Sequence, residues 1–225
     1  MTDMAYQHLT NSSNRMFVVV AGNIGSGKST LCRLLNEIMD DVEVIYEPVD
    51  KWRSMIDEKT GENILEVFYK NQERWSYSLQ TYTFLTRIHE IMKPQFKKVR
   101  FVERSIYTDK YVFAKSLTDN GKMSTLEWNM YCDWFTWLSE ETYKKIDKPT
   151  GFIYIRADPK TSYQRMLKRE RTEEKCVPLD YLETVCKYHD DWLLSDEYKD
   201  RVLIIDVNED FENNAEFLKR VSTSS

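Results

Sequence analysis

Five short, almost unbroken apolar runs punctuate the chain: Met16 to Ala21, Val42 to Tyr46, Val99 to Val102, Phe152 to Ile155 and Val202 to Ile205. Between them, aromatic and aliphatic residues recur at spacings of three and four, foremost over Ile64 to Ile91 and Thr125 to Tyr143. That is the period of long helices with a partly buried face. Pro94 and Pro149 end such segments. Strands alternating with helices predict an α/β fold, a mostly parallel five-stranded sheet flanked by helices. Runs that are apolar at nearly every position suit strands buried on both sides. No repeat, low-complexity stretch or Gly/Ser linker marks a boundary, so residues 15–225 read as one domain behind a flexible polar tail, residues 1–14. Trp128, Trp134 and Trp137 form an aromatic stripe on the second long helix. Such a stripe is more often core than not; a subunit interface is the alternative.

Directly after the first run stands Gly22-Asn23-Ile24-Gly25-Ser26-Gly27-Lys28-Ser29-Thr30, followed by the helical Leu31-Cys32-Arg33-Leu34-Leu35. This satisfies G-x-x-x-x-G-K-[ST] in its required setting of strand before and helix after. Glycines let backbone N–H groups turn inward around a β-phosphate, Lys28 reaches the β and γ oxygens, and Ser29 offers a hydroxyl to Mg²⁺ at a helix N-terminus. The motif predicts a bound triphosphate without saying what is done with it.

Three features select a kinase among P-loop activities. The second strand ends in Glu47-Pro48 with Trp52 close behind, and the third in Glu103-Arg104-Ser105. Carboxyl ends of strands face the ligand crevice of an open α/β sheet, so Glu47 falls where an acceptor hydroxyl must lose its proton. Glu103 suits the metal or acceptor, and Arg104 the transition-state charge. Taken alone, a strand-ending glutamate is more often a solvated carboxylate; two such ends reinforce each other. The third feature is Arg165-Met166-Leu167-Lys168-Arg169-Glu170-Arg171. Arg165 and Arg169 are expected on one helix face, with Arg171 at the helix end. A charge run is usually a solvated face, but beside a phosphate loop it reads as an arginine-bearing lid. No Asn-Lys-x-Asp follows the fourth strand to read guanine. A P-loop kinase fold acting on a small acceptor is the expectation.

Composition narrows the setting. A formal net charge of -5 argues against a nucleic acid partner, since affinity for phosphate backbones comes from clustered Lys and Arg. Cys32, Cys132, Cys176 and Cys186 form no C-x-x-C pair and no metal spacing with His8, His89 or His189, which fits reduced thiols. No apolar run approaches a spanning helix, and residues 1–14 lack the marks of a signal or transit peptide. A cytoplasmic protein with no membrane partner is expected, with a nuclear location also compatible.

The chain resembles the deoxyribonucleoside kinase family, nearest its deoxycytidine and deoxyguanosine kinase branch. The P-loop, Glu47-Pro48-Val49 with Trp52, Trp75-Ser76 with Gln80-Thr81, Glu103-Arg104-Ser105 with Tyr107 and Asp109, the three lid arginines and Asp206-Val207-Asn208-Glu209-Asp210-Phe211 stand in the family's order over nearly the whole chain. The resemblance implies Glu47 as general base for a sugar 5′-hydroxyl, with Arg104 positioning it and Glu103 near the metal and sugar. It implies Tyr69 and Glu174 at the 3′-hydroxyl and Gln80 reading the base edge, with Trp52 and Phe113 also in the nucleoside pocket. Arg165, Arg169 and Arg171 would meet the phosphates, and Asp210 and Phe211 the donor base. Arg87 and Asp109 match the pair that this branch places beside the base, so deoxycytidine is expected first, with deoxyadenosine and deoxyguanosine next and thymidine excluded. A purely structural ion pair is the alternative there. Thr83, Leu79 and Phe68 fall at pocket positions that vary across the branch. A homodimer through long helices is also implied.

Two other readings stand beside this one. A nucleoside monophosphate kinase of the thymidylate type would share the P-loop sheet and arginine lid, but Glu47 would repel an acceptor phosphate. A nucleotide-binding regulatory subunit would not need Lys28, Glu47, Arg104 and the lid all intact.

Overall fold

The computed structural model describes residues 15–175, 177–209 and 211. The proposed polar tail and Asp210 lie outside them. Five strands, β1 Met16–Gly22, β2 Val42–Ile45, β3 Val99–Glu103, β4 Gly151–Arg156 and β5 Val202–Asp206, form one parallel sheet in the order β2-β3-β1-β4-β5. Helix α1 is Lys28–Ile38, α2 Val49–Arg53, α3 Ile64–Lys70 and α4 Gln72–Ile91. Residues 106–119 form α5, whose middle, Asp109–Ala114, is π-helical; α6 is Thr125–Tyr143, α7 Pro159–Lys168 and α8 Leu179–Leu193.

The two-residue period of a strand separates the two sheet faces. Phe17, Val19 and Ala21 of β1 pack with Phe152 and Tyr154 of β4 against Leu182, Val185 and Trp192 of α8. Val20, Ile153 and Ile155 face the other way, onto Leu31, Cys32 and Leu35 of α1. Burying each Val or Ile contributes about 1.5–3 kcal/mol, so the central strands anchor the sheet from both sides. The expectation of burial on both faces holds for β3, buried at all five positions, and fails for β5, where Leu203 and Ile204 are exposed. An edge strand has one neighbour only, and among the described residues no helix layer covers both of its faces.

The long helix expected over Ile64 to Ile91 is two. Asn71 leaves helical geometry (φ -147, ψ 82) and its side chain accepts from the Arg74 N–H, ending α3 and starting α4. Asn favours caps because its side chain competes with the backbone ladder. Helix α6 matches its expected span, but Trp134 and Trp137 are exposed and Trp128 is half-buried. The core reading of that stripe is wrong for two of its three tryptophans; α6 buries Tyr131 and Phe135 instead.

The chain leaves β1 in one direction to reach β2 and leaves β3 in the other to reach β4. The crevice therefore opens at the carboxyl end of β1, beside β3. The phosphate motif, Glu47 and Arg104 all follow strands at that end. Among the described residues no helix is long and apolar enough to cross a membrane.

Candidate active site

A cavity of about 780 Å³ opens there, within the range of small-molecule sites. At one part of its wall lie Ile24, Gly25, Gly27, Lys28, Ser29 and Thr30. Gly25 has φ +75, and a Cβ there would stand 2.2 Å from the Ser162 carbonyl oxygen; only glycine fits both the conformation and the space. Gly22, Asn23 and Ser26 stand behind the wall. The Asn23 side chain fastens the loop, donating to the Leu182 carbonyl at 2.8 Å and accepting from the Ile24 N–H at 2.8 Å. Lys28 Nζ donates to the Asn23 carbonyl at 2.6 Å. Burial, then the nearby Arg104 guanidinium, pull the Lys28 ammonium down to about 7. An anion in the loop would relieve that excess of positive charge. Ser29 Oγ donates to Glu103 Oε1 at 2.6 Å, which brings a hydroxyl and a carboxylate together at the start of α1.

Beyond the loop, four charged side chains form one network. Glu47 Oε1 accepts from Arg104 Nη1 at 2.8 Å and from Arg87 Nη2. Arg87 Nε lies 3.0 and 2.8 Å from the two Asp109 oxygens, and its Nη1 donates to the Glu103 carbonyl at 3.2 Å. Burial would raise the Glu47 carboxyl, but Arg104, Arg87 and Lys28 outweigh it and hold the group well below the usual carboxylate range. Asp109 goes the other way: burial, helped by the charge of Glu47 and only partly offset by Arg87, pushes it up to about 6. Arg104 sits at φ 61, outside the regions comfortable for a non-glycine residue, at a cost of about 1–3 kcal/mol. Its guanidinium lies 4.8 Å from the Phe113 ring centroid. The π-helical turn carries both Asp109 and Phe113 to the cavity wall, a distortion frequent at functional sites.

Trp52, Tyr69 and Gln80 complete this part of the wall. Trp52 Nε1 donates to Thr86 Oγ1 at 2.9 Å, and the Arg87 guanidinium lies 5.2 Å from its ring centroid. Gln80 is 4% exposed and its Oε1 has no hydrogen-bond partner. A buried amide oxygen in that state favours a ligand that donates to it. Thr83, Leu79 and Phe68 also line the cavity.

The lid arginines reach the same cavity by different routes. Helix α7 stops at Lys168, and Arg169, its C-cap, keeps helical geometry with its N–H on the Arg165 carbonyl, so the two stand one turn apart as expected while their side chains take different partners. Arg165 Nη2 donates to the Asn208 and Glu209 carbonyls at 3.5 and 3.0 Å, while its buried Nη1 has no partner. Arg169 grips Glu174 with two nitrogens, Nε to Oε2 at 2.8 Å and Nη2 to Oε1, and Arg171 Nη1 approaches Oε1 at 3.4 Å. Phe211 lies against Gly27, its ring 2.8 Å from where a glycine Cβ would be. Every described candidate residue except Gly22, Asn23 and Ser26 thus lines one cavity.

Sequence reasoning missed Arg53, Glu173 and Tyr181, which also line it. Arg53 Nε and Nη2 donate to Glu173 Oε1 at 2.9 and 2.7 Å, tying α2 to the lid across 120 positions of sequence. No local signal announces such a pair. Tyr181 stands in the first turn of α8, a position that only the packing of α8 against the loop brings to the site.

The comparisons agree with the geometry. The model of the deoxynucleoside kinase family matches residues 18–224. Deoxycytidine kinase 2 of Gallus gallus is 37% identical over 88% of this chain and 84% of its own. Deoxycytidine kinase of Homo sapiens is 35% identical over 89% and 87%. The mitochondrial thymidine kinase 2 of Homo sapiens is 39% identical over 79% of this chain and 64% of its own. With a P-loop, a carboxylate held between arginines and an arginine lid around one cavity, the chain belongs to the deoxynucleoside kinase family.

Proposed function

We propose that this protein transfers the γ-phosphoryl of ATP to the 5′-hydroxyl of a deoxyribonucleoside, deoxycytidine first, with deoxyadenosine and deoxyguanosine also accepted. The observation that carries this is Glu47, an ionised carboxylate anchored by Arg104 and Arg87 in the same cavity as Lys28. An acceptor phosphate would meet that negative charge, whereas an acceptor hydroxyl donates to it. Such a depressed carboxyl is a weak base, which suits a loose phosphoryl-transfer transition state in which the proton leaves late. Glu47 orients the 5′-oxygen and takes the proton once the bond to phosphorus is forming; Arg104 steadies Glu47 and the developing charge. Lys28, Arg165, Arg169 and Arg171 answer the negative charge of the phosphates.

Ser29 and Glu103 supply the hard oxygen donors that Mg²⁺ prefers when it is shared with substrate phosphates, and their 2.6 Å contact sets both beside the loop. Mg²⁺ bound there would neutralise phosphate charge. Gln80, with an unsatisfied oxygen, and the Arg87–Asp109 pair favour a base presenting an amine and an acceptor together. They disfavour thymine, which lacks that amine and carries a methyl.

A homodimer fits the surface. Leu126, Met130, Trp134 and Trp137, at helical spacings of four, four and three, are all exposed on α6. A contiguous apolar stripe of that length is characteristic of association.

The test is coupled-assay turnover of ATP and Mg²⁺ with deoxycytidine, deoxyadenosine, deoxyguanosine, thymidine and the matching monophosphates. Turnover of deoxycytidine with thymidine excluded is the expected result. Preference for thymidine would overturn the base assignment, and turnover of monophosphates alone would overturn the acceptor.

A further inference from the structure

We propose that Arg169, beyond any contact with phosphates, is a positioning residue for nucleoside recognition: it holds Glu174 in the orientation that accepts the sugar 3′-hydroxyl. This rests on the nucleoside reading above.

Arg169 caps α7 and Glu174 lies five residues on, across the turn that carries Arg171. The contact is a two-point fork, Nε on Oε2 and Nη2 on Oε1, the geometry that fixes the plane of a carboxylate rather than merely attracting it. Arg171 adds a third donor at 3.4 Å. The Glu174 side chain is only 10% exposed, so its alternative to Arg169 is not bulk water. A carboxylate has about four acceptor directions, and three donors leave one open.

Glu174 lines the cavity together with Tyr69 and Tyr181, where a ligand hydroxyl can take the remaining acceptor position. Burial keeps the Tyr69 phenol protonated, with the charges of Tyr181 and Glu174 adding to the effect. A phenol and a carboxylate on one wall offer a donor and an acceptor, the complement of a hydroxyl. Without the fork, the Glu174 side chain would lose its direction. The lid then links the two ends of the site: the side chain that orients the sugar contact is one that a triphosphate also attracts.

A phosphate ligand and a sugar-positioning residue separate cleanly when no nucleotide is present. The full chain, nucleotide-free, is titrated by calorimetry with 2′-deoxycytidine and with 2′,3′-dideoxycytidine, as wild type, Arg169→Gln and Arg169→Lys. Wild type is expected to prefer the 3′-hydroxyl by about tenfold, as for a hydrogen bond to a charged group. Arg169→Gln should cut that preference to about threefold or less, by weakening deoxycytidine while leaving the dideoxy compound unchanged. Arg169→Lys, which keeps the charge without the fork, should fall between. Unchanged preference in Arg169→Gln, tighter deoxycytidine binding, or equal losses for both ligands would each overturn the role. A wild type that binds neither nucleoside would overturn the functional reading with it.

Discussion

Arg87 and Asp109 form a buried ion pair in which one nitrogen, Nε, reaches both carboxylate oxygens, at 3.0 and 2.8 Å. The rest of the guanidinium serves Glu47 and the Glu103 carbonyl, so one side chain satisfies two carboxylates that are 11% and 3% exposed. Removing one member of such a group leaves charge buried and unpaired, at about 3–5 kcal/mol. Arg87→Met should therefore be destabilised by that order in urea unfolding. The double variant Arg87→Met/Asp109→Ala should regain part of it, because the orphaned carboxylate goes too. A double variant no more stable than the single one would show that the pair is not coupled.

Glu47 tests the chemistry. Glu47→Gln keeps shape and a hydrogen-bond acceptor but removes the charge between Arg104 and Arg87. Turnover should fall by about 10² or more with nucleoside affinity nearly retained. Steady-state kinetics with nucleoside titration checks this, and turnover near wild type would move the proton-accepting role elsewhere.

Gly25 tests the phosphate loop. At φ +75, with the Ser162 carbonyl 2.2 Å from the site of a Cβ, Gly25→Ala meets both backbone strain and a clash with backbone that cannot rotate away. Loop and α7 must separate, so triphosphate affinity should fall at least tenfold and the melting temperature by about 5 °C or more. Thermal unfolding with and without ATP measures both.

The strand runs were legible because a buried parallel strand is apolar at nearly every position, and the phosphate loop because its glycines have a geometric reason. Glu47 and Arg104 followed from strand ends, since topology alone sends those ends to the crevice. What stayed hidden depended on tertiary partners. The break at Asn71 is one capping side chain inside a continuous helical period. The exposure of Leu203 follows from the place of β5 at the sheet edge, which a run of apolar letters does not encode. The run from Arg165 to Arg171 announced charge but not direction: Arg165 turns to Asn208 and Glu209, Arg169 to Glu174. Arg53 and Glu173 meet only because α2 and the lid close on the same cavity.

The exposed stripe on α6 bears on assembly. If Trp134 and Trp137 are shared between two copies, Trp134→Glu/Trp137→Glu should halve the mass measured by light scattering at micromolar concentration. Neither ring belongs to the core clusters, so the monomer should keep its far-ultraviolet dichroism. A wild-type chain that is already monomeric would refute the assignment of this face.

His189 sets a pH dependence from inside the core. It is fully buried, its Nδ1–H donates to the Val185 carbonyl at 2.8 Å, and its Nε2 has no partner. The ring stacks at 10° on Tyr154 and meets Phe113 edge-on. Burial first, with Arg104 and Lys28 adding to it, lowers the imidazole from 6.5 to about 3, against smaller opposing effects from Val185 and Asp190. Between those values the unfolded chain binds the proton and the folded one does not. Stability is therefore lost as pH falls below about 6.5, by at most about 1.4 kcal/mol per unit. Asp109 opposes this: its folded value, raised to about 6, makes the native state the better proton binder from about 6 down to about 4. The two nearly cancel in that window, so the wild-type curve alone would hide both. His189→Asn keeps a donor for Val185 and titrates nothing. It should be less stable than wild type at pH 7, and the gap should close as pH falls from 6.5 to 4, by about 1 kcal/mol per unit in urea unfolding. Parallel curves for the two proteins would mean that His189 binds its proton equally well folded and unfolded.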